Sequence, residues 1–316
     1  MAHDAELQAS LRYLESAEAL ESLAADPYWP KWEAPWWHML LLHEMGETAL
    51  IPDVIVRALV EALHRAPVKF FPIRPGELPE GIDPLRIPCT CQLGTVYQVF
   101  ATRGVDVDHE LPWIRRWLLS YQMADGGLSC DNEAYLVQDE VPSSMVGTVS
   151  AFEAILLHTP RPWTTEERAF LERAAGFLIE RCLVRGSSTR HNAEERTSAE
   201  QWPQLCFPRF YFYDVLRGLS ALLAWAEKTG QPAPQAARDV AASLSQRFPD
   251  GQLRIGRESY VGRSTLARTD DGEWRRRESA GTYPLLSKLS AVGDVSPYLS
   301  RQWSEAQALL ARLSAG

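Results

Sequence analysis

The sequence predicts an all-α, single-domain fold in which about five to six helical hairpins close into an α/α toroid. Three observations predict it. Segments with helical apolar spacing run along the whole of the 316 residues, and the only hairpin-like stretch falls inside an irregular insertion at 249–279. These segments are of two kinds. Some carry a charged face; others are apolar nearly all round and call for burial on both sides. The connections are also unequal. Those leaving an apolar segment are short, near Gly46, Gly104, Pro160, Gly230 and Gly293. Those entering one are long, at 24–34, 66–89, 124–142, 185–207 and 249–279. A straight solenoid has no reason to enclose one helix of each pair, whereas a ring encloses its inner helices. If helices alternate in direction, the long connections share one rim, and long loops are where function concentrates.

In chain order, Glu6 to Leu23 reads as one amphipathic helix through Leu7, Leu11, Leu14, Ala17 and Leu20. Pro35 to Met45 is a short apolar helix with Gly46 suited to its C-terminal cap. Asp53 to Arg65 is amphipathic, and the proline-rich stretch 66–88 is a long loop. Cys91 to Ala101 is apolar, and His109 to Met123 amphipathic. Ser143 to Leu157 is apolar and ends before Pro160. Thr165 to Leu183 is charged, with a Thr cap followed by Glu. Residues 186–204 form a polar loop, Phe210 to Lys228 is apolar and aromatic, and Pro234 to Phe248 amphipathic. Thr282 to Val292 is an apolar helix, and Pro297 to Leu313 closes the chain. Tyr121 to Cys130 carries a tight turn at Asp125-Gly126-Gly127, where Asp can bond its own backbone and glycine accepts positive φ. The same pattern returns at Asp250-Gly251 and Asp271-Gly272.

Composition excludes several classes of function. Lys and Arg number 32 against 41 Asp and Glu, a net charge of −9, without a basic cluster to attract nucleic acid or anionic lipid. No apolar run is long enough to span a bilayer. The acidic N-terminus, Met1 to Leu7, is unlike a secretory signal, and an odd count of five cysteines in a chain of this size suits a reducing cytoplasm. The expected partner is a small-molecule substrate.

At this point the chain resembles the terpenoid cyclase/protein prenyltransferase toroid family, especially the squalene-cyclase-like repeat proteins. The resemblance rests on Gln122-x-x-Asp125-Gly126-Gly127-Leu128, on the two weaker Asp-Gly loops, and on Phe207 to Leu219. That last stretch looks like an inner helix of bacterial cyclase-like proteins of unassigned function. The resemblance implies an enzyme (lyase, isomerase or transferase) acting on an apolar or isoprenoid-like molecule in a central cavity. The chain departs from the pattern in its acid. Asp-x-Asp-Asp is missing from every inner-helix context, since Asp106-Val-Asp108 falls in a short-loop turn and Asp270-Asp271 in the insertion. Nor do Thr90-Cys91 and Cys130-Asp131 match the zinc-binding Asp-x-Cys of prenyltransferases.

Several residues are candidates for chemistry. Cys89, Cys91, Cys130 and Cys206 lie in long loops or at starts of inner helices and would share one rim. Cys89, Cys91 and Cys130, with Asp131 or His38 as a fourth ligand, would make a zinc site; equally, cysteine packs as a small hydrophobe. Asp131 and Asp214 are the candidate acid/base groups. Trp36, Trp37, Arg209, Tyr211, Tyr213 and Arg217 are the candidate substrate contacts, the alternative for Asp214 and Arg217 being an intrahelical ion pair. Asp125, Asp131, Asp139 and Glu140 would place carboxylates on one rim. This pattern suits a carbohydrate-active toroid or, more simply, solvated loop acids. A toroid that kept the ring and lost the acid would serve as a non-catalytic binding or scaffold protein.

Overall fold

A computed structural model describes residues 3–65, 89–131, 133–260, 264–269 and 271–315. Among them are fourteen α-helices and one two-stranded antiparallel sheet, so the fold is all-α apart from a single hairpin. The proline-rich stretch expected as a long loop lies outside the described residues.

The N-terminal helix predicted as one is two, α1 (Asp4–Leu14) and α2 (Ala17–Ala25). Ser16 divides them: its backbone is extended and its hydroxyl accepts the Ala19 N–H, so a cap wins over the continuous apolar stripe. α3 (Pro35–Met45) has the predicted bounds. Pro35 starts it, and Gly46 ends it at φ 81°, where only glycine is unstrained. Nine of its eleven residues are buried. α4 (Asp53–His64) follows, then α5 (Thr90–Thr102), buried along eleven of thirteen residues.

The predicted helix from His109 to Met123 is also divided, into α6 (Val107–Glu110) and α7 (Pro112–Ser120). Pro112 forces the change: it pushes Leu111 out of the helical region, to φ −133° and ψ 58°. α8 (Met145–His158) is capped by Ser144, and α9 (Thr165–Glu180) by a full capping box between Thr164 and Glu167. The predicted polar loop contains the short α10 (Glu194–Ala199). α11 (Val215–Thr229) begins later than Phe210 because Asp214 caps it by accepting the Arg217 N–H. α12 (Gln235–Arg247) precedes β1 (Thr265–Arg268) and β2 (Trp274–Arg277), the hairpin inside the expected insertion. The predicted helix at Thr282–Val292 shrinks to α13 (Pro284–Leu289), and α14 (Pro297–Ala315) closes the described chain.

α5 packs along α8, α8 against α11, α11 against α14, and α3 against α5. α7, α9 and α12 form a second succession of contacts, and α2 packs on α4. α14 runs in the same direction as α11, since Gln302 reaches Ser220 and Arg312 reaches Glu227. Gly94 sets a close approach between α5 and α8. A Cβ there would lie 2.5 Å from the Ser150 carbonyl carbon, backbone that cannot yield. Gly94→Ala is therefore expected to force α5 and α8 apart and lower stability by about 1–3 kcal/mol in urea denaturation. An unchanged midpoint would show that the helices are not in this register. Among the described residues, no helix is long and apolar enough to cross a membrane.

The three Asp-Gly loops share one local device. Asp125, Asp250 and Asp271 each accept, through Oδ1, the N–H two residues on, at 3.1, 3.0 and 3.1 Å. The glycine after each aspartate has positive φ, 88°, 72° and 87°. The first loop is further tied to the α9 helix, because Gln122 Nε2 donates both to Gly126 O and to Phe170 O.

Candidate metal centre and interior cavity

Three thiols meet where α5 begins. Cys89 is the N-cap of α5 and Cys91 stands in its first turn. Cys130 arrives from the loop after the Asp125-Gly126 turn, forty residues along the chain, and its Sγ lies 3.3 Å from Thr90 Oγ1. The three sulfurs all lie within 4.8 Å of one another, with Cys89 and Cys91 3.0 Å apart. Hydrogen bonds from the Cys130 and Cys91 thiols hold Cys89 well below the ordinary thiol range, helped by the Gln92 N–H and the charge of Lys31. The same shared bonds push Cys91 well above it.

The Lys31 ammonium stands beside these thiols on an aromatic wall. It lies 5.2 to 5.6 Å from the ring centres of Tyr28, Trp29, Trp32 and Tyr211 and donates to Tyr211 Oη at 3.1 Å. Behind it, Trp32 stacks on Phe210 at 5.1 Å and meets Trp37 edge-on at 4.5 Å. Lys31 was not singled out in the sequence, since a lone lysine in a Pro/Trp loop carries no local signal.

The other expected ligands lie elsewhere. His38 is buried, stacked on Tyr283 at 3.6 Å and bonded to Ser10 through Nδ1. Asp131 is exposed, and its Oδ2 is 2.6 Å from His191 Nε2. Cys206 is buried against Asp214, and burial pushes its thiol up to about 12. None of the three belongs to the thiol group, so of the four cysteines expected together three meet.

Of the expected substrate contacts, Trp36 and Trp37 are buried in the core, with Trp37 Nε1 donating to Tyr28 O. Tyr213 is also buried, and its hydroxyl donates to Leu183 O. Tyr211 alone of these aromatics is half-exposed. Asp214 has no exposed surface. One oxygen accepts the Arg217 N–H; the other accepts Arg209 Nε and the Cys206 N–H. The intrahelical ion pair between Asp214 and Arg217 is not formed: Arg217 pairs instead with Glu153 of α8, at 2.6 Å. The rim carboxylates are likewise engaged. Asp125 accepts the Ser143 hydroxyl, Glu140 accepts the Arg190 and His191 N–H groups, and Asp139 pairs with Arg190.

A second site contains two of the expected substrate contacts, Arg209 and Arg217, together with residues the sequence did not mark. A cavity of about 230 Å³ lies among α3, α5, α8, α11 and α14. Its lining is largely charged, with Glu44, Glu153 and Glu305 against Arg209, Arg217 and Arg301. Glu44 accepts the N–H groups of Arg209 and Phe210, at 2.8 and 2.5 Å, yet burial pushes its carboxyl up to about 7. The chain matches no family model, and no curated protein is significantly similar to it.

Proposed function

We propose that the chain is a zinc-thiolate enzyme on an α/α toroid of the terpenoid cyclase/prenyltransferase kind, with Cys89, Cys91 and Cys130 as its protein ligands. The observation that carries this reading is the convergence of three sulfurs from two distant segments to within 4.8 Å. A tetrahedral zinc with Zn–S bonds of about 2.3 Å separates its sulfurs by about 3.8 Å, so small rotations of these side chains suffice. Three protein ligands with a fourth position open is the pattern of catalytic rather than structural zinc. A zinc ion there would supply a Lewis acid and lower the pKa of a bound water or thiol.

The toroid reading draws on the packing. In it, α3, α5, α8, α11 and α14 are the inner helices around the cavity, and α7, α9 and α12 belong to the outer layer. The fifth inner place goes to α14 rather than to the short α13. The cavity is small and charged, so an apolar or isoprenoid-like substrate is assigned instead to the aromatic wall around Lys31, next to the thiols. Arg209 and Asp214 are assigned to holding the ring, and Asp131 with His191 to a polar pair on the loop that delivers Cys130.

Elemental analysis of the purified protein is expected to give one zinc per chain. Cys91→Ser should lose it and Cys206→Ser retain it. Cobalt substitution should give thiolate-to-metal charge-transfer absorption that disappears in Cys91→Ser. Protein that is metal-free and takes up neither ion ends the proposal. Mass spectrometry of co-purifying small molecules tests the substrate class, with a polar metabolite counting against an isoprenoid.

A further inference from the structure

We propose that the interior cavity among α3, α5, α8, α11 and α14 binds a small oxyanion, a short-chain carboxylate or phosphate, anchored on Arg209. Arg209 and Arg217, which both line the cavity, are not equivalent. Arg217 uses its whole guanidinium. Nε and Nη2 bond Glu153, and Nη1 bonds the carbonyls of Phe210 and Phe212. Arg209 is 7% exposed and gives Nε to Asp214, but its Nη2 is buried with no hydrogen-bond partner. A buried cationic donor left unmatched is costly, and a ligand oxygen is the group that would match it. Arg301, whose Nη2 bonds Met45 O, adds a third cation from the α14 side, where Glu305 also lines the cavity.

Size narrows the class. At about 30 Å³ of liquid volume per water, the cavity has room for roughly seven or eight waters. That accommodates a mono- or dicarboxylate of a few carbons, or inorganic phosphate.

The charge balance also has a way to adjust. Around Glu44 stand His43 on its own helix, Glu153 from α8, Arg209 and Arg217 at and before α11, and Tyr298, Arg301 and Glu305 from α14. Burial holds His43 neutral, down to about 4, and Glu153 is locked to Arg217. Glu44 is the carboxylate nearest to neutrality, at about 7. An arriving anion takes over the negative charge that Glu44 gives up by accepting a proton. The site does not depend on the thiol cluster, so loss of metal would leave it in place.

The test is titration of the full chain with malonate, inorganic phosphate and the neutral malonamide, followed by calorimetry and thermal denaturation. Malonate or phosphate should raise Tm saturably, which of the two identifying the ligand class, and malonamide should not. Arg209→Lys keeps a cation against Asp214 but removes Nη2 and should weaken binding about tenfold. Glu44→Gln should abolish the proton uptake seen by comparing buffers of different ionisation enthalpy. If Arg209→Lys does not fold, selenate soaked into crystals of the unaltered chain should give an anomalous peak beside Arg209. Failure of both anions to bind, equal binding of malonamide, unchanged affinity in a folded Arg209→Lys, or selenate density only elsewhere would each overturn the proposal.

Discussion

Asp214→Ala is expected to destabilise the fold by about 4 kcal/mol, the largest loss among single substitutions outside the thiol cluster. Asp214 is wholly buried and does three jobs at once. It caps α11 through the Arg217 N–H, receives the Cys206 N–H, and neutralises Arg209 at 2.8 Å. Removing the cap alone costs about 1 kcal/mol. The larger part comes from stranding the Arg209 cation in a buried setting, where breaking one partner of an ion pair costs about 3–5 kcal/mol. Asp214→Asn separates the two contributions, because the amide oxygen still caps the helix while the counter-charge is gone. It should recover only the smaller part. The double change Arg209→Met with Asp214→Leu should be milder than Asp214→Ala, since no buried charge is left unpaired. Urea denaturation at neutral pH measures all three. A loss below about 1 kcal/mol for Asp214→Ala would mean that Arg209 reaches solvent or another carboxylate, and the cavity's charge assignment would fall with it.

What the sequence made legible divides by the range of the interaction. The Asp-Gly turns at 125, 250 and 271 were readable because one side chain bonds its own backbone two residues on. The bounds of α3 and the Thr164 cap of α9 were readable for the same local reason. Ser16 and Pro112 also carried signals, but the apolar stripe continues through both, and periodicity was given more weight than the breaker. Unequal loop lengths, a global pattern, led to the expectation that Cys89, Cys91, Cys130 and Cys206 lie together; three of the four meet, and Cys206 packs against Asp214 instead. The pairs Glu153–Arg217 and Asp131–His191 span 64 and 60 residues, and nothing in either partner's neighbourhood announces the other. Glu44 was hidden for a related reason. On a helix end it reads as a surface acid, and only α11 and its approach, packed against it, make it a buried one.

Acidification from pH 6.5 to 3 is expected to lower stability, by about 5 kcal/mol from His38, His43 and Glu44 taken together, with His38 the largest contributor of the three. Burial lowers His38 from 6.5 to about 3 and His43 to about 4. A base with a depressed folded pKa stays neutral in the fold while the unfolded chain takes up a proton below 6.5. Its stabilisation is therefore complete above pH 6.5 and falls as pH drops toward the folded value. Glu44 works the other way. Its carboxyl is raised from 4.5 to about 7, so the fold holds a proton that the unfolded chain releases, and stability rises as pH falls from 7 to 4.5. At about 1.4 kcal/mol per pH unit per proton, Glu44 offsets one histidine over that window and leaves the other unopposed. Below 4.5 both histidines act until His43 titrates, and then His38 alone. His38→Asn keeps a polar atom within reach of Ser10 but cannot be protonated. It should cost stability at neutral pH through the lost stacking on Tyr283, yet show a flatter acid limb, shallower by up to one proton. Unfolding free energies at pH 7, 5 and 4 for both chains decide the matter. Parallel acid limbs in the two proteins would place the titrating groups elsewhere, and His38 would then be an ordinary member of the α1–α3 packing.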